Sequence, residues 1–257
     1  MEFDVNKPLR VFESFGGYGS QSLAFKRLKE YFPEFDFKVV GYSDIEPTAI
    51  TAYMALHKGE NIINYGDISQ IIWQEVPDFD FFTYSWPCTD VSAAGLQQGF
   101  KRDSGTRSSL LWECERAIKE KRPKYLLMEN VKSLTQKKFM ADFTDWLDVL
   151  EGLGYVNYWK VLDSSDFGVP QHRERVFCVS IYREKGTPIP NYEFPKEFPL
   201  ELCLRDVLEE NVDEKYFLSD EMLVRFCEKS LEESENGGTM QFLPDGDEGL
   251  ENFIFAQ

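Results

Sequence analysis

The most reactive arrangement in the chain is a cysteine directly behind a proline, Trp86-Pro87-Cys88, with Ser92 four residues on. A thiolate is a strong nucleophile, and a cysteine on a loop after an apolar strand has the exposure and fixed direction that covalent catalysis needs. A lone cysteine is more often a small buried hydrophobe. The Pro-Cys-x-x-x-Ser spacing on the loop after the apolar run Phe79 to Tyr84 favours the nucleophile. Two other segments carry groups that such a nucleophile uses. The run Pro123-Lys-Tyr-Leu-Leu-Met ends in Glu129-Asn130. A carboxylate leaving a buried strand has its pKa raised, which makes it a candidate proton donor or hydrogen-bond clamp. The plainer reading of that pair is a helix cap or a surface pair. Finally, Gln171-His-Arg-Glu-Arg175 sets Arg173 and Arg175 before an apolar strand, pointing at a base or phosphate, or else forming a surface ion-pair cluster.

A second group of residues fits a nucleoside. Phe12-Glu-Ser-Phe-Gly-Gly-Tyr-Gly ends the first apolar run, with Phe15, Gly16 and Gly17 at its turn. Glycines let the backbone approach a ligand closely, and the Phe12 ring suits a cation such as a sulfonium. Asp44, followed by Ile45, ends the second apolar run, where an acid accepts from ribose hydroxyls in nucleoside-binding α/β folds. Asp67, in Gly66-Asp67-Ile68, is read as the end of a third strand and as an acceptor for an adenine amino group. Each acid singly reads equally well as a cap or turn residue. Together, in order after consecutive strands and without a GxGxxG or P-loop lysine, they favour a nucleoside cofactor lacking a phosphate tail.

The elements that must carry these residues alternate. Strands are expected at Leu9–Phe12, Phe37–Tyr42, Phe79–Tyr84, Tyr125–Met128, Tyr155–Leu162 and Val176–Ile181. Helices are expected at Ser20–Tyr31, Pro47–Leu56 (with Pro in its first turn), Ser109–Lys121 and Phe139–Leu150. Strand–helix alternation implies parallel crossovers and a doubly wound α/β sheet, with ligands at the carboxyl ends of strands. After Tyr182 the character changes to prolines and charges, so residues 1–182 are taken as the cofactor-binding and catalytic domain and 183–257 as the start of a further region. One more helix is expected at Met222–Leu231, and the tail 232–257 has no fold of its own.

Composition sets limits. The chain is 42% hydrophobic and 28% charged, enough for a core without disulfides or metals. Its net charge of −17 argues against nucleic-acid binding over the whole surface, because phosphate binding needs cations. The five cysteines (Cys88, Cys114, Cys178, Cys203 and Cys227) include no CxxC pair and only two histidines accompany them, so no metal is expected. No signal peptide or membrane-length apolar run is read, and a cytoplasmic protein is expected.

In order along the chain, these segments resemble the cytosine-5 DNA methyltransferase family. Phe12 to Tyr18 resembles its cofactor loop, with Glu13 and Ser14 in place of a small Ala-Gly pair. Asp44-Ile-Glu and Gly66-Asp67-Ile68 resemble its second and third motifs. Pro87-Cys88 with Ser92, Glu129-Asn130-Val131 and Gln171-His-Arg-Glu-Arg175 resemble its catalytic, acidic and arginine motifs, and Arg107-Ser-Ser-Leu-Leu-Trp the segment before its fourth helix. The resemblance spans residues 9–182 and implies a mostly parallel Rossmann-like sheet of the S-adenosylmethionine-dependent type. It implies Cys88 as nucleophile on a flipped cytosine, Glu129 on the ring nitrogen and amine, and Arg175 with Arg173 on the carbonyl. Phe12, Phe15, Gly16, Gly17, Asp44, Ile45, Asp67, Ile68 and Pro87 then line the S-adenosylmethionine site. Double-stranded DNA is the implied partner, placing the protein at the nucleoid when bound, in a restriction-modification or orphan role. The family continues into a recognition region, a proline- and arginine-bearing motif and a Gly-Asn motif, none recognisable after Tyr182. A truncated product, or half of a split enzyme completed by a second chain, is therefore expected. A tRNA cytosine-5 methyltransferase and a non-catalytic cofactor-binding subunit remain the alternatives.

Overall fold

A computed structural model describes residues 7–92, 98–102 and 104–225. The tail from 232, Cys227 and the second half of the helix expected at Met222–Leu231 lie outside the described residues, while 220–225 are helical. The chain divides into two compact units, Met1–Pro199 and Leu200–Gln257.

In the first unit, β1 (Leu9–Ser14), α1 (Ser20–Tyr31), β2 (Phe37–Ser43), α2 (Pro47–Leu56) and β3 (Phe81–Tyr84) come first in chain order. Then follow α3 (Leu111–Lys121), β4 (Tyr125–Val131), α4 (Met140–Gly152), β5 (Tyr155–Asp163) and β6 (Glu174–Tyr182). One six-stranded sheet has the order β2-β1-β3-β4-β6-β5. β1 pairs parallel with β2 and β3, and β3 parallel with β4. β6 runs antiparallel to both β4 and β5, so the sheet is mostly parallel, as expected, with its parallel crossovers ending at β4. The segment joining β5 to β6 is the short turn Ser164–Arg173, too short for a parallel crossover, which needs a dozen residues or more.

Local chemistry explains the helix bounds. Pro47 opens α2 where its missing N–H costs nothing, and Arg122 ends α3 in the left-handed region at φ 49°. The third strand expected before Asp67 does not form. Asn64 makes one isolated parallel bridge to Tyr42, and Asp67 instead caps a short 3-10 turn, accepting from Ser69 N at 2.9 Å. Two polar residues in Asn64-Tyr-Gly-Asp67 capture the backbone that a ladder would use.

The core lies on both sheet faces, with Phe82, Tyr84, Leu126, Met128 and Val176 covered by Ile118, Phe143 and Trp146 from the helices. Phe12 is fully buried, its ring centroid within 5.2 Å of both Trp73 and Phe79 and 5.7 Å from Tyr65. Residues 183–199 join this unit. Arg183 N donates to Gly154 O at 2.9 Å and Phe198 N to Asp166 O at 3.0 Å, so the unit extends beyond the composition break at 182.

The second unit holds two short 3-10 turns, Leu204–Val207 and Glu214–Tyr216, each opened by an aspartate-mediated cap. Among the described residues no helix is long and apolar enough to cross a membrane.

Truncating Phe12 to alanine removes a ring enclosed by four aromatic neighbours, Tyr65, Trp73, Phe79 and Phe82. The expected cost is about 3–5 kcal/mol, read as a lowered midpoint in chemical denaturation.

Candidate active site

The carboxyl ends of four parallel strands share one edge of the sheet, and the amino end of antiparallel β6 joins them there. Phe15, Gly16, Gly17, Asp44, Ile45, Pro87, Cys88, Glu129, Arg173 and Arg175 lie at or near that edge, while Asp67 and Ile68 follow the isolated bridge between Asn64 and Tyr42.

At the end of β1 the backbone turns sharply, with φ +56° at Phe15, +56° at Gly17 and +81° at Gly19. Phenylalanine in that region costs about 1–3 kcal/mol, and such strain collects at ligand sites. The Asp44 carboxylate holds the turn, accepting from Gly17 N at 2.8 Å and from Glu46 N at 2.9 Å. Those two bonds occupy about half of its roughly four acceptor positions, leaving room for hydroxyl donors. Nothing stands within 4 Å of a Cβ built at Gly17 or Gly66, so backbone at both is open to a ligand. Ile45 is 63% exposed beside Asp44, while Ile68 is buried under Asp67. Two hydroxyls that sequence reasoning missed, Ser14 Oγ and Ser43 Oγ, are buried without a hydrogen-bond partner at the ends of paired strands. Orphaned buried polar atoms call for an added partner, and a polar nucleoside fits that need. Phe12 does not belong to this set. Its ring is sealed in the core, because the residues at the strand end proper are Ser14 and Phe15, and the half-buried Phe15 is the aromatic at the turn.

Cys88 is half-buried on the loop after β3, and that loop is clamped from both sides. Buried Ser108 donates its hydroxyl to Pro87 O at 2.7 Å and accepts Asp90 N at 3.2 Å. Its own amide donates to Asp90 Oδ2 at 3.0 Å. From β4, Asn130 Nδ2 donates to Trp86 O at 3.1 Å, and from the 3-10 turn that follows it, Ser133 Oγ donates to Val91 O at 2.6 Å. The returning leg is fixed by Trp112 Nε1 on Phe100 O at 2.8 Å, and by Arg102, which lies 4.1 Å from the Trp112 ring centroid and pairs with Glu115. A nucleophile carried by so many bonds keeps its direction without substrate. Asn130, Asp90 and Ser108 all lie in segments marked in the sequence, but none of the three was assigned a clamping role there. Ser108 and Asp90 carry no pattern of their own, because buried serine and aspartate look like any turn residue.

Glu129 lies inside β4, two residues before its end, and not past it as expected, because β6 continues the ladder to Val131↔Arg175. Its pKa is raised from the ordinary carboxylate value by burial, opposed by the charge of Arg175, a hydrogen bond from Ser85 and the charge of Arg173. Arg175 Nε stands 3.1 Å from Glu129 Oε1. Arg173 sits outside the strand and is exposed, its amide donating to Asp163 Oδ1 at 3.1 Å. Among the described residues no group of three or more His, Cys, Asp or Glu forms a metal site. The edge thus joins an oriented thiol, a buried carboxylate paired to an arginine, and a glycine turn with orphaned hydroxyls.

Comparison with known proteins agrees with this geometry. The family model for C-5 cytosine-specific DNA methylase matches residues 9–251. The type II methyltransferase M2.ScrFI of Lactococcus lactis subsp. cremoris is 42% identical over 82% of this chain and 71% of its own length. The orphan methyltransferase M.SssI of Spiroplasma monobiae is 32% identical over 83% of this chain and 68% of its own. Among solved structures, a substituted DNMT2 of Spodoptera frugiperda superposes with TM-score 0.66 at 23% identity, covering 86% of this chain and 65% of that one. The sheet is thereby that of the methyltransferase fold, and the chain spans about two thirds of the solved structure's length.

Replacing Arg175 with alanine removes the cation nearest Glu129. Because a neighbouring positive charge favours the ionised carboxylate, the Glu129 pKa is expected to move further up. A carboxyl-carbon NMR titration reads it, and a fall would contradict the pairing.

Proposed function

Because the chain belongs to the C-5 cytosine-specific DNA methylase family, we propose that it methylates carbon 5 of a cytosine flipped out of double-stranded DNA, using S-adenosylmethionine. The observation that carries this reading is the clamped Cys88 loop on the same edge as the Glu129–Arg175 pair. A base inside the duplex stack is out of reach of that edge, so it must leave the helix.

Cys88, as thiolate, adds to carbon 6 of the ring, and the displaced electron pair makes carbon 5 nucleophilic. Glu129 holds the ring nitrogen and exocyclic amine. Its raised pKa suits it to supply a proton as negative charge develops there. Arg175 orients Glu129, and with Arg173 it reaches for the base carbonyl. Loss of the carbon 5 proton afterwards restores the ring double bond and expels Cys88. S-adenosylmethionine, when bound, supplies an electrophilic methyl group. Phe15, Gly16, Gly17, Asp44, Ile45, Asp67, Ile68 and Pro87 are the residues assigned to hold it, with Ser14 and Ser43 offering unused hydroxyls beneath.

The relatives above carry type II and orphan methyltransferase names, and a restriction-modification or orphan role is proposed for this chain. With a net charge of −17, it offers DNA only local cations such as Arg173 and Arg175. The proposal therefore includes a second chain that supplies recognition contacts. A cytoplasmic, nucleoid-associated location follows from a DNA substrate.

The test is covalent trapping on duplex DNA containing 5-fluorocytosine, with S-adenosylmethionine, using the chain alone and with a neighbouring-gene product. An adduct is expected that vanishes in Cys88→Ala. Trapping in Glu129→Gln is expected to slow by roughly 10²–10⁴. Trapping on tRNA and not DNA would transfer the reading to tRNA, and no adduct in any arm with folded protein would sink the catalytic claim.

A further inference from the structure

One buried carboxylate takes no part in this chemistry. Glu13, 1% exposed in β1, points to the sheet face covered by α1 and α2. It accepts Ser22 N at 2.9 Å and the Tyr53 hydroxyl at 2.6 Å. Burial pushes its carboxyl pKa up, and no Lys or Arg pairs with it among the described ion pairs.

These two bonds meet beneath the glycine turn. The N-cap of α1 is Gly19, which has no side chain to cap the helix. Ser22 is the third residue of α1, so Glu13 takes the first-turn N–H that a capping side chain would otherwise satisfy. Tyr53 is itself fixed, its ring stacked 3.8 Å from Tyr42 and 4.3 Å from His57 between centroids. His57 reaches back to the turn through Ser22 Oγ at 3.3 Å and a hydrogen bond to the Tyr18 backbone. Gly19 lies so close that a Cβ there would stand 2.3 Å from His57 Nε2 and 2.8 Å from the Tyr53 ring. The entrance of the turn hangs on Asp44 through Gly17, whereas its exit hangs on Glu13.

We propose that Glu13, acting with Tyr53, is a positioning residue for the cofactor turn: it locks the exit of the Phe15–Gly19 segment onto α1 and α2, so that the open backbone at Gly17 is held ready for the nucleoside cofactor. The proposal rests on the reading of this edge as the cofactor site. It gives a role to an acid that stands where the family resemblance leads one to expect a small residue.

The experiment uses the full chain and three variants, Glu13→Ala, Glu13→Gln and Tyr53→Phe. S-adenosylmethionine and S-adenosylhomocysteine affinities are measured by calorimetry, and amide exchange of residues 16–22 is followed in ligand-free protein. Glu13→Ala and Tyr53→Phe are each expected to weaken binding by roughly tenfold and to speed exchange in that segment, the loss of a buried hydrogen bond being of that order. Glu13→Gln retains an acceptor for Ser22 N and is expected to recover most of the affinity. Should Glu13→Ala fail to fold, Tyr53→Phe and Glu13→Gln decide. Folded Tyr53→Phe with unchanged affinity and exchange overturns the proposal. A wild-type chain that binds neither ligand overturns the cofactor reading instead. In that case the exchange rates alone decide on Glu13, and unchanged rates in the variants overturn its role as well.

Discussion

The site depends on one reversal of strand direction. Four parallel strands bring their carboxyl ends to a common edge, which is where an α/β sheet presents ligand-binding groups. A fifth parallel strand would have delivered only another carboxyl end. Because β6 runs backwards between β4 and β5, its amino end arrives instead, and Arg175 comes against Glu129. A buried carboxylate without a cation would stay protonated or force itself toward water. With Arg175 at 3.1 Å it is held in place, and the arginine's charge opposes the upward push of burial on its pKa.

The cysteine loop obeys a related constraint, since a nucleophile must be accessible yet unable to wander. Backbone carbonyls and amides on either side of Cys88 are therefore taken by buried side chains from the turn before α3 and from β4. Those side chains in turn are fixed by the sheet. Glycine turn, thiol loop and acid–arginine pair are thus positioned by the same six strands, and none is carried by a free-standing loop alone.

Much of this was legible in the sequence where one physical signal dominated. The bounds of α1 and α2 follow from periodicity and from Pro47, and apolar runs located all six strands. The reversed direction of β6 was not legible, because β6 is as apolar as the parallel strands and only the shortness of its connection sets it apart. Asp67 misled because a cap and a strand end share residue types, and the cap won by bonding Ser69. Phe12 misled because an aromatic next to a glycine turn looks like a ligand face. Alternation along β1 turns it inward and leaves Phe15 at the edge. The clamping roles of Ser108 and Asp90, which both lie in segments the sequence marks, were invisible for a different reason. Their function lies in bonds to main-chain atoms eighteen residues away, which no local pattern encodes.

The placement of β6 also sets an order of assembly during synthesis. β1 to β4 can zip outward as they emerge, each onto a strand already made. β5 cannot follow them, since among the described strands its only partner is β6, which is made after it. β5 must wait unpaired until β6 appears and is inserted on β4. The last strand to be made is therefore also the one that brings Arg175 to Glu129, so the acid–arginine pair cannot form before all six strands have been synthesised.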